Sequence, residues 1–191
     1  MENRKPEIKT ACLAEWVSGE VRAAPETFCG VTQDSRAVTP GCLYVALRGE
    51  RFDGHDFVGP ALKAGAALAL VEASWRAPAE AASWPLVRVR DTRLALSKAA
   101  RAWRLQSRAR IIGLTGSSGK TTTKEMAAAL FGAGGAVCAT QGNLNNEIGL
   151  PLSLLSMPAE TAFGRFELGS NHPGEIARLA DVLKPQAAII S

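Results

Sequence analysis

Short apolar runs alternate with stretches of helical periodicity along almost the whole chain, a pattern that predicts an α/β protein. Ile8, Cys12, Leu13, Trp16 and Val17 recur at helical spacing and suit one helix face. A short strand is expected at 28–31, then the turn-rich TQDSRAVTPG and a strand in CLYVAL. After the polar loop RGERFDGHD, 57–64 reads as a helix stopped by Gly65, and ALALV (67–71) as a buried strand. APAEAASWP reads as a loop or weak helix and LVRV (86–89) as a strand. Asp91 is placed to cap a helix running to about 105. In the second half, IIGLT (111–115), AVCAT (136–140), RFEL (165–168) and AAII (187–190) read as strands. Between them lie a helix to about 131, a short helix PLSLL opened by Pro151 in the first helical position, and a helix presenting Ile176, Leu179, Ala180 and Leu183. This order of strand, loop, helix and strand implies right-handed crossovers and a parallel sheet. LQSRAR marks the boundary, giving domains 1–106 and 107–191.

Composition narrows the class. The chain has 191 residues, 47% of them hydrophobic, and a mean hydropathy of +0.02, which is ordinary globular composition. No window holds the ~20 apolar residues of a spanning helix, and the opening MENRKPEIKTACLAEW lacks the apolar core of a secretory signal. The net charge of +4 does not point to nucleic acid: 15 Lys and Arg face 12 Asp and Glu in 1–106, and 7 face 6 in 107–191, interspersed throughout. Cys12, Cys29, Cys42 and Cys138 form no CxxC pair, so neither zinc nor a disulfide framework is expected. A cytoplasmic protein, monomeric and bound to neither membrane nor nucleic acid, is the expectation.

The strongest chemical signal is Gly116-Ser117-Ser118-Gly119-Lys120-Thr121-Thr122-Thr123, which follows an apolar strand and opens a helix. Its glycines let successive backbone N–H groups turn toward phosphate oxygens, and the helix N-terminus adds its positive end. Lys120 can reach the β- and γ-phosphates and the Thr121 hydroxyl can ligate Mg²⁺. Leu114 stands where the longer phosphate-loop pattern has glycine, so this is the shorter T-G-x-x-G-K-T form. A neighbouring strand should end in an acid for the metal, and Glu167 in RFELG is so placed; the alternative is a surface glutamate at a strand end. Glu147 and Glu175 are weaker candidates. His172 reads as a helix cap or a ligand, and His55 as a phosphate contact or a turn residue.

Together these segments resemble the Mur ligases, the ATP-dependent amide-bond ligases of peptidoglycan precursor synthesis. TGSSGKTTTKE resembles their ATP loop. Asp34-Ser35-Arg36, Pro40-Gly41 and LYVALRGERFDGHDF resemble their N-terminal uridine-diphosphate-binding domain. GNLNNEIGLPLSLL and FELGSNHPGEI resemble the branch that adds D-alanyl-D-alanine. The branch adding diaminopimelate or lysine would carry Thr-Thr-Pro in place of Asn145-Asn146-Glu147. The fold implied is a small N-terminal UDP-binding α/β domain followed by the first part of a phosphate-loop, parallel-sheet ATPase domain.

The resemblance implies that Gly116, Ser117, Ser118, Gly119, Lys120, Thr121 and Thr122 bind ATP, with Asn143 near the nucleotide. Thr121 and Glu167 would hold Mg²⁺, and Lys120 and Glu167 would act in catalysis. Ser35, Arg36, Glu50, Arg51 and Phe52 would face the uridine diphosphate, and Asn145 and Asn146 the muramoyl-peptide. The partners would be UDP-N-acetylmuramoyl-tripeptide and D-alanyl-D-alanine, joined through an acyl phosphate. The family continues beyond position 191 with a further magnesium site and a closing domain, so the chain by itself is expected to bind nucleotide or UDP ligand weakly and to turn over little. The alternatives are a relative adding diaminopimelate or lysine, a folylpolyglutamate-type synthase, and a non-catalytic UDP-ligand-binding fragment.

Overall fold

A computed structural model describes residues 5–116, 136–140 and 142–191. The chain divides into two compact units, Lys5–Ala99 and Ala100–Ser191.

The first unit carries β1 (Glu7–Lys9), α1 (Thr10–Val17), β2 (Glu20–Arg22), β3 (Thr27–Cys29), β4 (Val31–Thr32), β5 (Leu43–Val45), α2 (Val58–Lys63), β6 (Leu68–Glu72) and β7 (Leu86–Val89). Ile8, expected on a helix face, lies in β1 opposite Phe28 of β3, with both side chains buried. The helical face is the shorter set Thr10, Leu13 and Val17. The strand expected at 28–31 is two strands, because Gly30 sits at φ +81° and turns the chain from the β1–β3 pair into a five-stranded sheet. That sheet has the order β2-β7-β6-β5-β4, parallel except for the β2 edge. Every residue of β5, and Leu68 to Val71 of β6, is buried, as their unbroken apolar runs require of central parallel strands. Val58 and Ala61 of α2 pack with Tyr44, Ala69 and Leu86 in the core. Asp91 caps α3 (Thr92–Gln106) as expected, accepting the Leu94 N–H at 2.9 Å.

The second unit holds the last turns of α3 with β8 (Arg110–Thr115), β9 (Val137–Ala139), α4 (Gly149–Leu155), β10 (Phe163–Glu167), α5 (Glu175–Leu183) and β11 (Ala187–Ile190). Its sheet has the order β11-β8-β10-β9, with every pairing parallel, as the sequence pattern predicts. β10 and β9 lie on one side of β8 and β11 on the other, so the C-terminal end of β8 marks a change in winding direction. Ligands of open α/β sheets bind at such a point. Pro151 is the third residue of α4 rather than the first, and its missing N–H falls among those the first turn leaves unpaired anyway. Leu179 and Leu183 anchor α5. The helix expected to about 131 lies outside the described residues.

Candidate functional site

In the first unit, the candidate residues stand on the loops that leave the C-terminal ends of β4 and β5. Asp34 organises the first loop: its carboxylate accepts the Arg36 N–H and pairs two-pronged with the Arg36 guanidinium, at 2.9 and 2.8 Å. Those hydrogen bonds hold the Asp34 carboxyl down at about 2. Ser35 begins a single 3-10 turn (Ser35–Ala37), half-buried, while Arg36 projects into solvent. Asp34-Ser35-Arg36 is therefore a side-chain-capped turn, and it leaves a guanidinium edge on the outside.

The second loop runs from Leu47 to His55. The Gly54 N–H donates to Leu47 O and the Gly49 N–H to Phe52 O, both at 2.9 Å, with an antiparallel bridge between Arg48 and Asp53. A Cβ on Gly54 would lie 2.6 Å from Leu47 N, which explains the glycine. Glu50, Arg51 and Phe52 form an exposed tip, and Phe52 keeps 71% of its surface in solvent, unusual for a large apolar side chain. The Tyr44 hydroxyl donates to Gly54 O at 2.9 Å. Burial, and then the charges of Asp34 and Asp53, push that phenol up to about 12.

His55 is a turn residue and not a phosphate contact. Its side chain is fully buried; Nδ1 lies 2.5 Å from Asp53 Oδ1, and Nε2 accepts the Glu72 N–H at 3.0 Å. A cavity of about 610 Å³ bordered by His55, Lys63, Trp75 and Trp84 contains none of the expected UDP-facing residues.

In the second unit, β8 and β10 are adjacent and in register, with Glu167 opposite Leu114. Thr115 ends β8, and its hydroxyl donates to Leu168 O at 3.0 Å. Gly116 follows at φ +143°, where a Cβ would overlap Ser191 O at 2.0 Å. The chain thus enters the phosphate-loop sequence directly beside Glu167; Ser117, Ser118, Gly119, Lys120, Thr121 and Thr122 lie outside the described residues. Glu167 is half-buried, and its N–H donates to the Thr140 hydroxyl at 2.9 Å.

The 142–148 loop is tied to the same edge. Asn145 O accepts the Gly169 N–H at 2.8 Å, and the Asn145 side chain lies over Gly169, close enough that a Cβ there would be 2.8 Å away. Asn143 is exposed, and its O accepts the Asn145 N–H. Asn146 Oδ1 accepts the N–H groups of Ile148 and Gly149, opening α4. Both weaker acids have structural work: Glu147 pairs with Arg178 at 2.6 Å, and Glu175 accepts the N–H groups of Asn171 and His172. His172 enters that cap through its backbone. Thr140 and Tyr44 escaped the sequence reading, because a lone hydroxyl within or just after a strand carries no spacing signal.

Residues 27–104 match the family model "Mur ligase family, catalytic domain", and residues 114–191 match "Mur ligase middle domain". The chain is 45% identical over 179 residues to the Escherichia coli (strain K12) UDP-N-acetylmuramoyl-tripeptide–D-alanyl-D-alanine ligase, covering 94% of this chain and 38% of that one. It is 42% identical to the Bacillus subtilis (strain 168) protein of the same name, covering 94% and 39%. The fold superposes on MurF from Acinetobacter baumannii with a TM-score of 0.89 and 34% identity, over 98% of this chain and 41% of that one. MurF ligase from Thermotoga maritima, in complex with ADP, aligns with a TM-score of 0.73 and 35% identity, over 84% of this chain and 36% of that one. The chain therefore spans about two fifths of the length of these relatives, and it belongs to the Mur ligase family.

Proposed function

We propose that this chain carries the substrate- and ATP-binding parts of the ligase that joins D-alanyl-D-alanine to UDP-N-acetylmuramoyl-tripeptide, with domains 1–106 and 107–191. The observation that carries the reading is the in-register pairing of Glu167 with Leu114, which sets an acid beside the start of the phosphate-loop sequence. The name shared by the relatives supports the acceptor, and family matches ending at 104 and resuming at 114 support the boundary.

The γ-phosphoryl group of ATP passes to the terminal carboxylate of the tripeptide, releasing ADP and leaving an acyl phosphate. The amine of D-alanyl-D-alanine then attacks the acyl carbon; the C–N bond forms, the amine gives up a proton, and inorganic phosphate leaves. Such a transfer asks the protein for positioning and charge neutralisation more than for a base. Lys120 supplies a fixed positive charge at the β- and γ-phosphates, and the N–H groups of Gly116 to Gly119 line the phosphate chain. Asn143 borders the nucleotide.

Mg²⁺ fits the donor set. Glu167 offers hard carboxylate oxygen at a half-buried strand end. Glu167 and the Thr121 hydroxyl would hold the ion together with phosphate oxygens, and when bound it would neutralise phosphate charge. Arg36, Ser35 and the Glu50-Arg51-Phe52 tip hold the uridine diphosphate, the exposed Phe52 ring offering an apolar face to the base. Asn145 and Asn146 face the muramoyl-peptide, each already anchored through another of its own atoms.

Calorimetry with UDP-N-acetylmuramoyl-tripeptide and with ATP and Mg²⁺ tests both sites. Both are expected to bind, with ATP binding lost in Lys120→Ala; ATP binding that survives this change overturns the phosphate-loop assignment. Acceptor preference, measured on the gene product as its genome encodes it, tests the substrate. Preference for diaminopimelate or lysine over D-alanyl-D-alanine refutes it.

A further inference from the structure

The segment Leu47 to His55 is anchored far more firmly at its base than at its tip. At the base, the fully buried His55 ring stands between Asp53 Oδ1, 2.5 Å from Nδ1, and the Glu72 N–H, 3.0 Å from Nε2. Because the Glu72 N–H needs an acceptor, Nε2 carries no proton; Nδ1 therefore carries it and donates to Asp53. Asp53 Oδ1 also accepts the His55 N–H at 2.9 Å. The Arg48 guanidinium closes the circuit, its Nε lying 3.3 Å from Asp53 Oδ2 and 3.2 Å from Glu72 Oε2. Trp75 covers the imidazole with ring centroids 5.6 Å apart.

The energies of these contacts differ. The Arg48 pairs are half-exposed, so water screens them and each contributes little. The imidazole itself is fully buried, where an unmet donor or acceptor is costly. Asp53 fits the same picture: burial alone would raise its carboxyl, yet the hydrogen bonds from His55, with the charge of Arg48, bring it below the ordinary value. His55 therefore dominates the junction between the loop and the end of β6.

We infer that His55 is a positioning residue for the uridine-diphosphate site: its buried ring, bonded to Asp53 on one side and to the Glu72 backbone on the other, sets the direction in which the Glu50-Arg51-Phe52 tip meets the ligand. This rests on the reading of the tip as UDP-facing. The ring does not touch the ligand; it fixes the loop base so that the exposed tip is ordered before the ligand arrives, which lowers the entropy lost on binding. The Tyr44 hydroxyl on Gly54 O is the second anchor of the same loop.

The test uses uridine diphosphate as the probe, with His55→Phe, His55→Asn, Arg51→Ala and Phe52→Ala variants. UDP affinity is expected to fall at least about tenfold in His55→Phe and His55→Asn, while ATP affinity stays at the wild-type value. Amide exchange at Gly49 and Gly54 is expected to accelerate in the same variants, and the imidazole ¹⁵N spectrum of the wild type to show a protonated Nδ1 and an unprotonated Nε2. If Arg51→Ala and Phe52→Ala lower UDP affinity but folded His55 variants stay within about twofold of wild type, the positioning role is overturned. If Arg51→Ala and Phe52→Ala change nothing, the UDP reading of the tip falls; Gly49 and Gly54 exchange then decides whether His55 orders the loop. A proton on Nε2 refutes the network itself, whatever the affinities.

Discussion

Arg104, in the last turn of α3, is 5% exposed and spends its guanidinium on oxygen acceptors of the second unit. Nε donates to Leu183 O at 3.0 Å, Nη2 to Lys184 O and to Gln186 Oε1 at 3.1 Å, and Nη1 to Ser107 O at 3.3 Å. Two of these acceptors are carbonyls at the C-terminal end of α5, where a helix leaves carbonyls unpaired and a cation is favoured. Gln186 passes the contact on, since its Oε1 also accepts the Ile111 N–H at 2.7 Å. Arg104 thus clamps the turn between α5 and β11 against the start of β8, the strand that leads into the phosphate-loop sequence. Arg104→Met keeps the aliphatic stem and removes every donor. Each buried carbonyl left unmet costs about 1–3 kcal/mol, and the relief of no longer desolvating a cation offsets part of that. The net loss is expected to be about 2–4 kcal/mol, read as exchange of the Ile111 amide about 30- to 900-fold faster by mass spectrometry of peptides covering 109–115 and 183–190. Arg104→Lys should recover only a fraction, because one ammonium cannot reproduce the planar fork. An acceleration below about threefold in Arg104→Met, or full recovery in Arg104→Lys, would mean that the carbonyls find other donors and that the clamp is misread.

Other consequences can be checked directly. The chain has a single tyrosine, so ultraviolet titration of the folded protein reads Tyr44 alone; its phenol is expected near 12, and a midpoint at 10 refutes its burial beside Asp34 and Asp53. With the folded value above the unfolded one, the stability it contributes is complete below pH 10 and is lost as pH rises through about 12. For Asp34 the sign reverses: the Arg36 contact stabilises fully above 3.8 and is lost as pH falls through about 2, which carboxyl NMR of Asp34 would follow, and a midpoint at 3.8 would show that the pair does not form. Glu167→Gln should weaken Mg²⁺-dependent ATP binding at least about tenfold in calorimetry and leave metal-free nucleotide binding alone; an equal loss without metal points to misfolding of the sheet edge. Asn146→Ala removes the acceptor for Ile148 and Gly149 and should cost about 1 kcal/mol in chemical denaturation, with Asn146→Asp restoring most of it; no loss on Asn146→Ala would show that the cap contributes nothing.

The parallel sheet of the second unit was legible because short apolar runs alternate along it with stretches of helical periodicity. The exceptions share a cause. Ile8 falls at helical spacing from Cys12 by coincidence, and its true neighbour, Phe28, is twenty residues away in β3. β2 contains one apolar residue between two charges, all exposed, and exists only because β7 offers it an edge. In both cases a distant strand, not the local pattern of apolar residues, decides the element. At the α4 terminus Pro151 misled for a different reason: the helix starts where the Asn146 side chain accepts backbone N–H groups, and Gly149 has no room for a Cβ, which would lie 2.4 Å from Leu144 Cα.

By itself the sequence determined the fold class, the entry of the phosphate-loop motif from the end of an apolar strand, and the presence of an acid at a strand end. Each is a local property of residue type and spacing, readable without knowing what lies beside what. Tertiary structure alone decided that Glu167 is in register with Leu114, because neighbour order in a parallel sheet depends on crossovers and not on any one segment. It also settled His55, whose sequence context suits a phosphate contact as well as a turn. The backbone N–H of Glu72, seventeen residues later, claims one ring nitrogen and Asp53 lies against the other, which leaves neither for a phosphate.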